Sequence, residues 1–195
     1  MALGLIEVRG LAAAIGVLDT MAKTAEARLI DVKKDMGGGL VTIVIEGDVS
    51  AVTACVQAGE ASCTSEVIAA RVFANPDPQM LMYVDNSYKS MRLDSKREAL
   101  GIIEVYGFVC AMTAADAALK AADVRLIGIE RTKGESGIGL IVALKFTGRT
   151  GAVNAAIEAG TRAAKQIGEV ISTDVNALPD GGIDKMVHYT NLKSD

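Results

Sequence analysis

Apolar and polar positions along this chain switch between two periods, and the sequence of switches runs through twice. ALGLIEV (residues 2–8) is short and almost wholly apolar, which predicts a buried strand. GLAAAIGVLDTMAKTA (10–25) carries Ala13, Val17 and Met21, flanked by Ala14 and Leu18, at i, i+4 spacing, the stripe of a helix with one buried face. ARLIDVKK (27–34) predicts a second strand, Asp35 to Gly39 a glycine-rich loop, and the β-branched LVTIVIEG (40–47) a third strand. Asp48 or Ser50 is expected to cap the helix VSAVTACVQAGEASC (49–63). EVIAARVFANP (66–76) predicts a last strand, stopped by Pro76 and Pro78. The order β-α-β-β-α-β is the ferredoxin-like split unit, an antiparallel sheet with both helices on one face.

The second run begins at Ala99. ALGLIEVRGLAAAIGVLDTMAKTAEARLID from Ala2 aligns without a gap to ALGIIEVYGFVCAMTAADAALKAADVRLIG from Ala99, with about half of the positions identical. Glu7 matches Glu104, Gly10 matches Gly107, Asp19 matches Asp116, Lys23 matches Lys120 and Arg28 matches Arg125, all 97 residues apart. Gly47 then matches Gly148 and Gly59 matches Gly160, 101 apart, so the second copy gains about four residues between Arg125 and Gly148. Chance likeness of two alanine-rich helices does not keep charged residues in register. The chain is a tandem duplication, with domains expected at 1–88 and 96–182, a polar linker over Asp85 to Glu98, and a tail from 183 to 195 that starts a short appended helix after a Gly-Gly breaker. Two fused copies present two similar surfaces, the arrangement by which a ring of identical subunits becomes a ring of half as many chains.

Composition narrows the function. Of 195 residues, 50% are hydrophobic and 23% charged, with a net charge of −4 and a mean hydropathy of +0.32, which excludes disorder. No apolar run approaches the roughly 20 residues of a membrane span. Glu7 and Arg9 interrupt the first apolar stretch, so no signal peptide is expected. An isoelectric point near 5.1 argues against nucleic acid as the main partner. Three cysteines cannot pair fully and fit a reducing cytosol, and Cys55, Cys63 and Cys110 read as small buried hydrophobes. His188 is the only imidazole, too few for a histidine metal site, and no nucleophile–base pair stands out, so no enzyme and no cofactor is expected. Glu7 and Glu104 recur in a strand and read as structural hydrogen-bonding groups. The run Gly134 to Gly139 opens into a strand rather than a helix, which rejects a dinucleotide-binding fingerprint.

Taken together, ALGLIEVRGLAAAIGVLDTMAKTA…RLI, the glycine-rich loop, the strand ending in EGD and VSAVTACVQAG resemble the bacterial microcompartment shell domain, and the resemblance covers nearly all of 2–179, twice, in unpermuted order. It implies an α+β fold of two tandem ferredoxin-like (βαββαβ) shell domains. It implies a homotrimer forming a pseudohexameric disc with a central pore, tiling with other microcompartment shell proteins into a facet in the bacterial cytoplasm. The pore-lining loops would match Met36, Gly37, Gly38 and Gly39 after Asp35, and Gly134, Glu135, Ser136, Gly137, Ile138 and Gly139 after Lys133, passing small polar or anionic metabolites. The family's edge lysine, in a D-A-x-x-K-A-A pattern, matches Lys23 and Lys120.

The residues themselves leave other readings open. Glycine-rich loops are also ordinary hairpin turns, and a lysine at a helix end is also a solvated charge that complements the helix dipole. Where many relatives carry a basic residue after the last strand, this chain has Asp77 and Asp180, which leaves the edge contact in doubt. Neither loop has a cysteine, so no iron–sulfur cluster is expected there. The alternative function is a trimeric ferredoxin-like regulator that binds a small molecule.

Overall fold

The computed structural model describes residues 1–34, 37–85, 87, 98–132 and 141–187. Among the described residues, eight strands form two four-stranded antiparallel sheets. In the first, β1 (Ala2–Arg9), β2 (Ala27–Lys33), β3 (Leu40–Gly47) and β4 (Val67–Phe73) lie in the order β2-β3-β1-β4. Helices α1 (Leu11–Thr24) and α2 (Val49–Ser62) connect them. In the second, β5 (Ala99–Tyr106), β6 (Val124–Thr132), β7 (Ile141–Gly148) and β8 (Val170–Asn176) repeat the order as β6-β7-β5-β8. Their helices are α4 (Phe108–Ala121) and α5 (Thr150–Ala164).

The duplication extends to irregularities. The β1–β4 register shifts between Glu7 and Val8, and the β5–β8 register between Glu104 and Val105. Likewise β2 shifts between Leu29 and Asp31, and β6 between Leu126 and Gly128. Leu3 pairs with Phe73 and Leu100 with Asn176, so the copies are 103 residues apart at their last strands.

Two compact units result. The first contains Met1–Pro76 with Gly107–Val109; the second contains Asp77–Tyr106, Cys110–Thr132 and the described residues from Ile141 on. In the first, alternate residues of β1 (Ala2, Ile6, Val8) and β3 (Val41, Ile43, Ile45) pack under Ala14, Val17 and Met21 of α1 and Val52, Cys55 and Val56 of α2. Close packing requires glycine in β1: a Cβ on Gly4 would stand 2.7 Å from methyls of Val52 and Val56. In the second unit a Cβ on the matching Gly101 would stand 2.6 Å from Val153 and 2.8 Å from Ile157 of α5.

Two expectations need correction, and one needs an addition. Asp48 occupies the N-cap position of α2, but its side chain makes no capping bond; its carbonyl accepts the Val52 amide instead. β4 ends at Phe73, before Pro76 and Pro78, and Pro78 then opens a helix that was not expected, α3 (Pro78–Val84), because proline's fixed φ suits the first helical position and the Asp77 carboxylate accepts the Gln79 amide at 2.9 Å. Cys55 and Cys110 are buried, whereas Cys63 sits half-buried at the end of α2. After β8, a 3-10 turn (Gly181–Ile183) leads into α6 (Asp184–Val187), and Val187 packs on Leu100 and Ile127.

Candidate functional site

The glycine loop of the first copy is a turn tied to the start of α1. Gly37, Gly38 and Gly39 have φ of 71°, 57° and 73°, a left-handed run that a side chain would strain. Leu40 donates to the Gly37 carbonyl at 3.0 Å, and Gly10 donates to the Gly39 carbonyl at 2.7 Å. The Arg9 guanidinium donates to the Gly38 carbonyl at 2.9 Å and pairs with Glu66 at 2.8 Å. All three glycines are exposed, so the turn presents bare backbone with the Arg9 guanidinium beside it. Met36 lies outside the described residues, as do Gly134, Glu135, Ser136, Gly137, Ile138 and Gly139 of the second copy's loop. Tyr106 stands where Arg9 does, so the second copy lacks that ion pair; its backbone bond to Glu169 is kept at 3.1 Å.

Lys23 and Lys120 lie at the far ends of α1 and α4, about 20 Å along the axis from the helix start. Each pairs with the aspartate one turn before it: Lys23 with Asp19 at 2.6 Å, Lys120 with Asp116 at 2.7 Å. The acid-before-base order at i, i+4 is the favourable one, and a cation also suits the helix C-terminus. Both ammonium groups are exposed. Turn and lysine thus occupy opposite ends of one helix.

Glu7 is fully buried. One carboxylate oxygen accepts the Thr42 hydroxyl at 2.8 Å and the Phe108 amide at 3.0 Å. Burial pushes its pKa up from 4.5; the Phe108 and Thr42 hydrogen bonds oppose that rise. Lys33, paired with Asp31 at 2.7 Å, lies 4.9 Å from the centre of the Phe108 ring. In the second copy Glu104 faces Ala143 across β7 instead of a threonine, and Ser172 of β8 donates to it in compensation.

Sequence reasoning missed the role of α3. Its Gln79 amide donates to the Val124 carbonyl at 3.2 Å while its oxygen accepts the Leu126 amide at 3.0 Å. Tyr83 donates to the Leu126 carbonyl at 3.2 Å, and Asp77 donates its amide to Asp116 at 2.9 Å. Two side chains thereby pair the open edge of β6 as a strand would. The available signal was Asp-Pro, a helix start as much as a strand stop.

The BMC domain family matches residues 2–76 and again 99–179. The chain belongs to that family. This BMC-domain chain is 34% identical over 177 residues to the carboxysome assembly protein CcmO of Synechococcus sp. (strain ATCC 27144), an alignment covering 87% of this chain and 62% of CcmO. The chain therefore spans less than two thirds of that relative's length. The carboxysome shell protein CsoS1A of Hydrogenovibrio crunogenus is 41% identical over 83 residues, covering 41% of this chain and 85% of its own. A crystal structure of a microcompartment protein from Desulfitobacterium hafniense superposes with a TM-score of 0.73 at 29% identity, over 94% of this chain and 98% of that one. The relatives of this tandem BMC-domain chain are named for carboxysome assembly and the carboxysome shell, and the superposed structure is named as a microcompartment protein.

Proposed function

We propose that the chain is a tile of a microcompartment shell: three copies close into a pseudohexameric disc, and discs meet edge to edge with one another and with other shell proteins. The observation that carries this reading is the duplication itself. Two BMC domains with the same strand order and the same register shifts give each chain two equivalent shares of a ring. Lys23 and Lys120 are the edge contacts in this reading. They are exposed at matching helix ends, with stems long enough to lie across a neighbour and ammonium groups that donate to its carbonyls.

The glycine loops line the pore. Exposed backbone at Gly37–Gly39 permits close approach at a crowded axis, and Arg9 beside it favours small polar or anionic solutes. The test is sedimentation of the purified chain followed by electron microscopy. The expected result is a species of about three times 20.2 kDa that grows into flat arrays. A monomer that forms no arrays overturns the proposal.

A further inference from the structure

A groove of about 460 Å³ opens between α5 and the edge strand β8, wholly within the second compact unit. Its size is that of a small-molecule site. Buried Ile157 supplies apolar lining; Glu158, Thr161 and Arg162 of α5, its C-cap Lys165 and Thr173 of β8 supply the polar walls. The duplication allows a comparison position by position. Ile157 matches Val56, so the apolar lining is kept. Glu158, Thr161 and Arg162 stand for Gln57, Glu60 and Ala61, and Thr173 stands for Ala70. The turn that carries Lys165 matches Cys63 to Glu66, which holds no base. At the lining positions the first copy thus has Glu60 and no base, whereas the second has Arg162 and Lys165 against Glu158, with two hydroxyls added.

Folding does not account for the change. α2 has no base in its last turn, and it closes on β1 over Gly4 as α5 closes on β5 over Gly101. Neither Arg162 nor Lys165 is needed to finish such a helix. Arg162 donates one N–H to Glu158 at 2.6 Å, and both side chains are exposed. Lys165 is exposed and has no carboxylate partner among the described residues. Thr161 Oγ1 is shielded from water and has no hydrogen-bond partner among the described residues. Such a hydroxyl costs stability until an acceptor reaches it. A turn about χ1 exchanges it with the methyl group on the same carbon.

We propose that the groove between α5 and β8 binds a small molecule through a phosphate group. The Arg162 fork and the Lys165 ammonium take two of its oxygens, the Thr161 and Thr173 hydroxyls donate to the others, and the rest of the molecule lies against Ile157. Donors that arrive from a helix on one side and a strand on the other suit a tetrahedral group with three acceptor oxygens better than a flat carboxylate. On a chain of net charge −4, a basic groove is also where a diffusing anion concentrates. The site uses none of the residues assigned to the pore or the edge. It lies in one unit of one chain, so it stands independently of the shell reading.

The test is calorimetric titration of the intact chain with inorganic pyrophosphate at low salt, repeated with malonate. One pyrophosphate is expected per chain, with malonate bound ~10-fold more weakly or worse. Arg162→Ala and Lys165→Ala are each expected to weaken pyrophosphate binding ~10-fold or more, with the circular dichroism spectrum unchanged because both side chains are exposed. Arg149→Ala removes the same charge at the other end of α5, outside the groove, and is expected to bind as the wild type does. Thr161→Val removes the unpartnered hydroxyl, so affinity should fall while the melting temperature holds or rises. No binding of pyrophosphate overturns the site. An equal loss in Arg149→Ala overturns it in favour of diffuse surface charge. Malonate held as tightly as pyrophosphate overturns the phosphate class, and wild-type affinity in Thr161→Val overturns the part given to its hydroxyl. Sedimentation of the same sample reads the trimer separately, so either reading can fail alone.

Discussion

Glu7 accepts the backbone N–H of Phe108 at 3.0 Å across 101 residues of chain. The bond places a carboxylate at the first turn of α4, where the helix dipole favours negative charge. It does so in a fully buried position, and the other oxygen of Glu7 has no hydrogen-bond partner among the described residues. Gly107 is part of the same arrangement: its φ is 81°, and a Cβ there would collide with the Glu7 carboxylate. Charge, helix terminus and glycine fit as one unit, and the cost of burying the charge sets how it behaves with pH.

Burial raises the Glu7 pKa above 4.5, so between that value and the raised one the folded chain holds a proton that the unfolded chain has lost. Stability therefore falls as pH rises through this window and is flat above it. Glu7→Gln removes the titration while keeping an oxygen for Thr42 and Phe108. Melting curves of the two proteins from about pH 4 to 8 are expected to show the variant gaining on the wild type as pH rises. A difference independent of pH refutes the linkage.

Most of the fold was legible because apolar periodicity and repetition agree. Val17 and Met21 mark the buried stripe of α1, and the strands around Gly4 and Gly101 were placed by the same alignment. The parts that were not legible depend on partners distant in sequence. No local pattern links Glu7 to Phe108. The move of its cross-strand hydroxyl from Thr42 in one copy to Ser172 in the other needs the strand registers. The strand end before Pro78 was legible but the helix that starts there was not, because proline ends strands and begins helices alike and only the Asp77 cap decides. Of the candidate site, the turn at Gly37–Gly39 was readable from glycine content, whereas its tie to Arg9 was not.

Gly101 carries the close approach of β5 and α5. Gly101→Ala puts a methyl 2.6 Å from Val153 and 2.8 Å from Ile157, both short, branched and anchored in a helix. The sheet and helix must separate, at a cost of about 1–3 kcal/mol. Urea unfolding is expected to show a lower midpoint at unchanged slope. Gly16→Ala is the control, since a Cβ there meets nothing within 4 Å.

Gln79→Ala strips the edge of β6 of two hydrogen bonds and leaves the Leu126 amide and Val124 carbonyl part-buried without that partner. Destabilisation of about 1–3 kcal/mol is expected. Amide hydrogen exchange is the sharper measurement: protection at Leu126 should drop, while protection in β1 and β3 stays as it is. Unaltered exchange at Leu126 would show that the Gln79 side chain contributes nothing to closing the edge.

Lys23 and Lys120 offer the clearest separation of an assembly role from a folding role. The Lys23–Asp19 pair is exposed and one helical turn long, the class worth about 0.3–0.5 kcal/mol; Asp116, the partner of Lys120, is largely buried and also holds the Asp77 amide. If the lysines served only the helix, Lys23→Ala with Lys120→Ala would lower the melting temperature slightly and change nothing else. As edge contacts, their loss should abolish flat arrays in electron micrographs while the sedimenting species remains the wild-type one. Lys→Arg at both positions keeps the charge and the ion pair but changes a compact ammonium into a wide planar fork. A site shaped for an ammonium lying over a neighbour's carbonyls should tolerate it poorly, giving arrays that are fewer or differently spaced. Arrays indistinguishable from wild type in the double alanine variant would remove both lysines from the edge and leave them as helix-terminal charges.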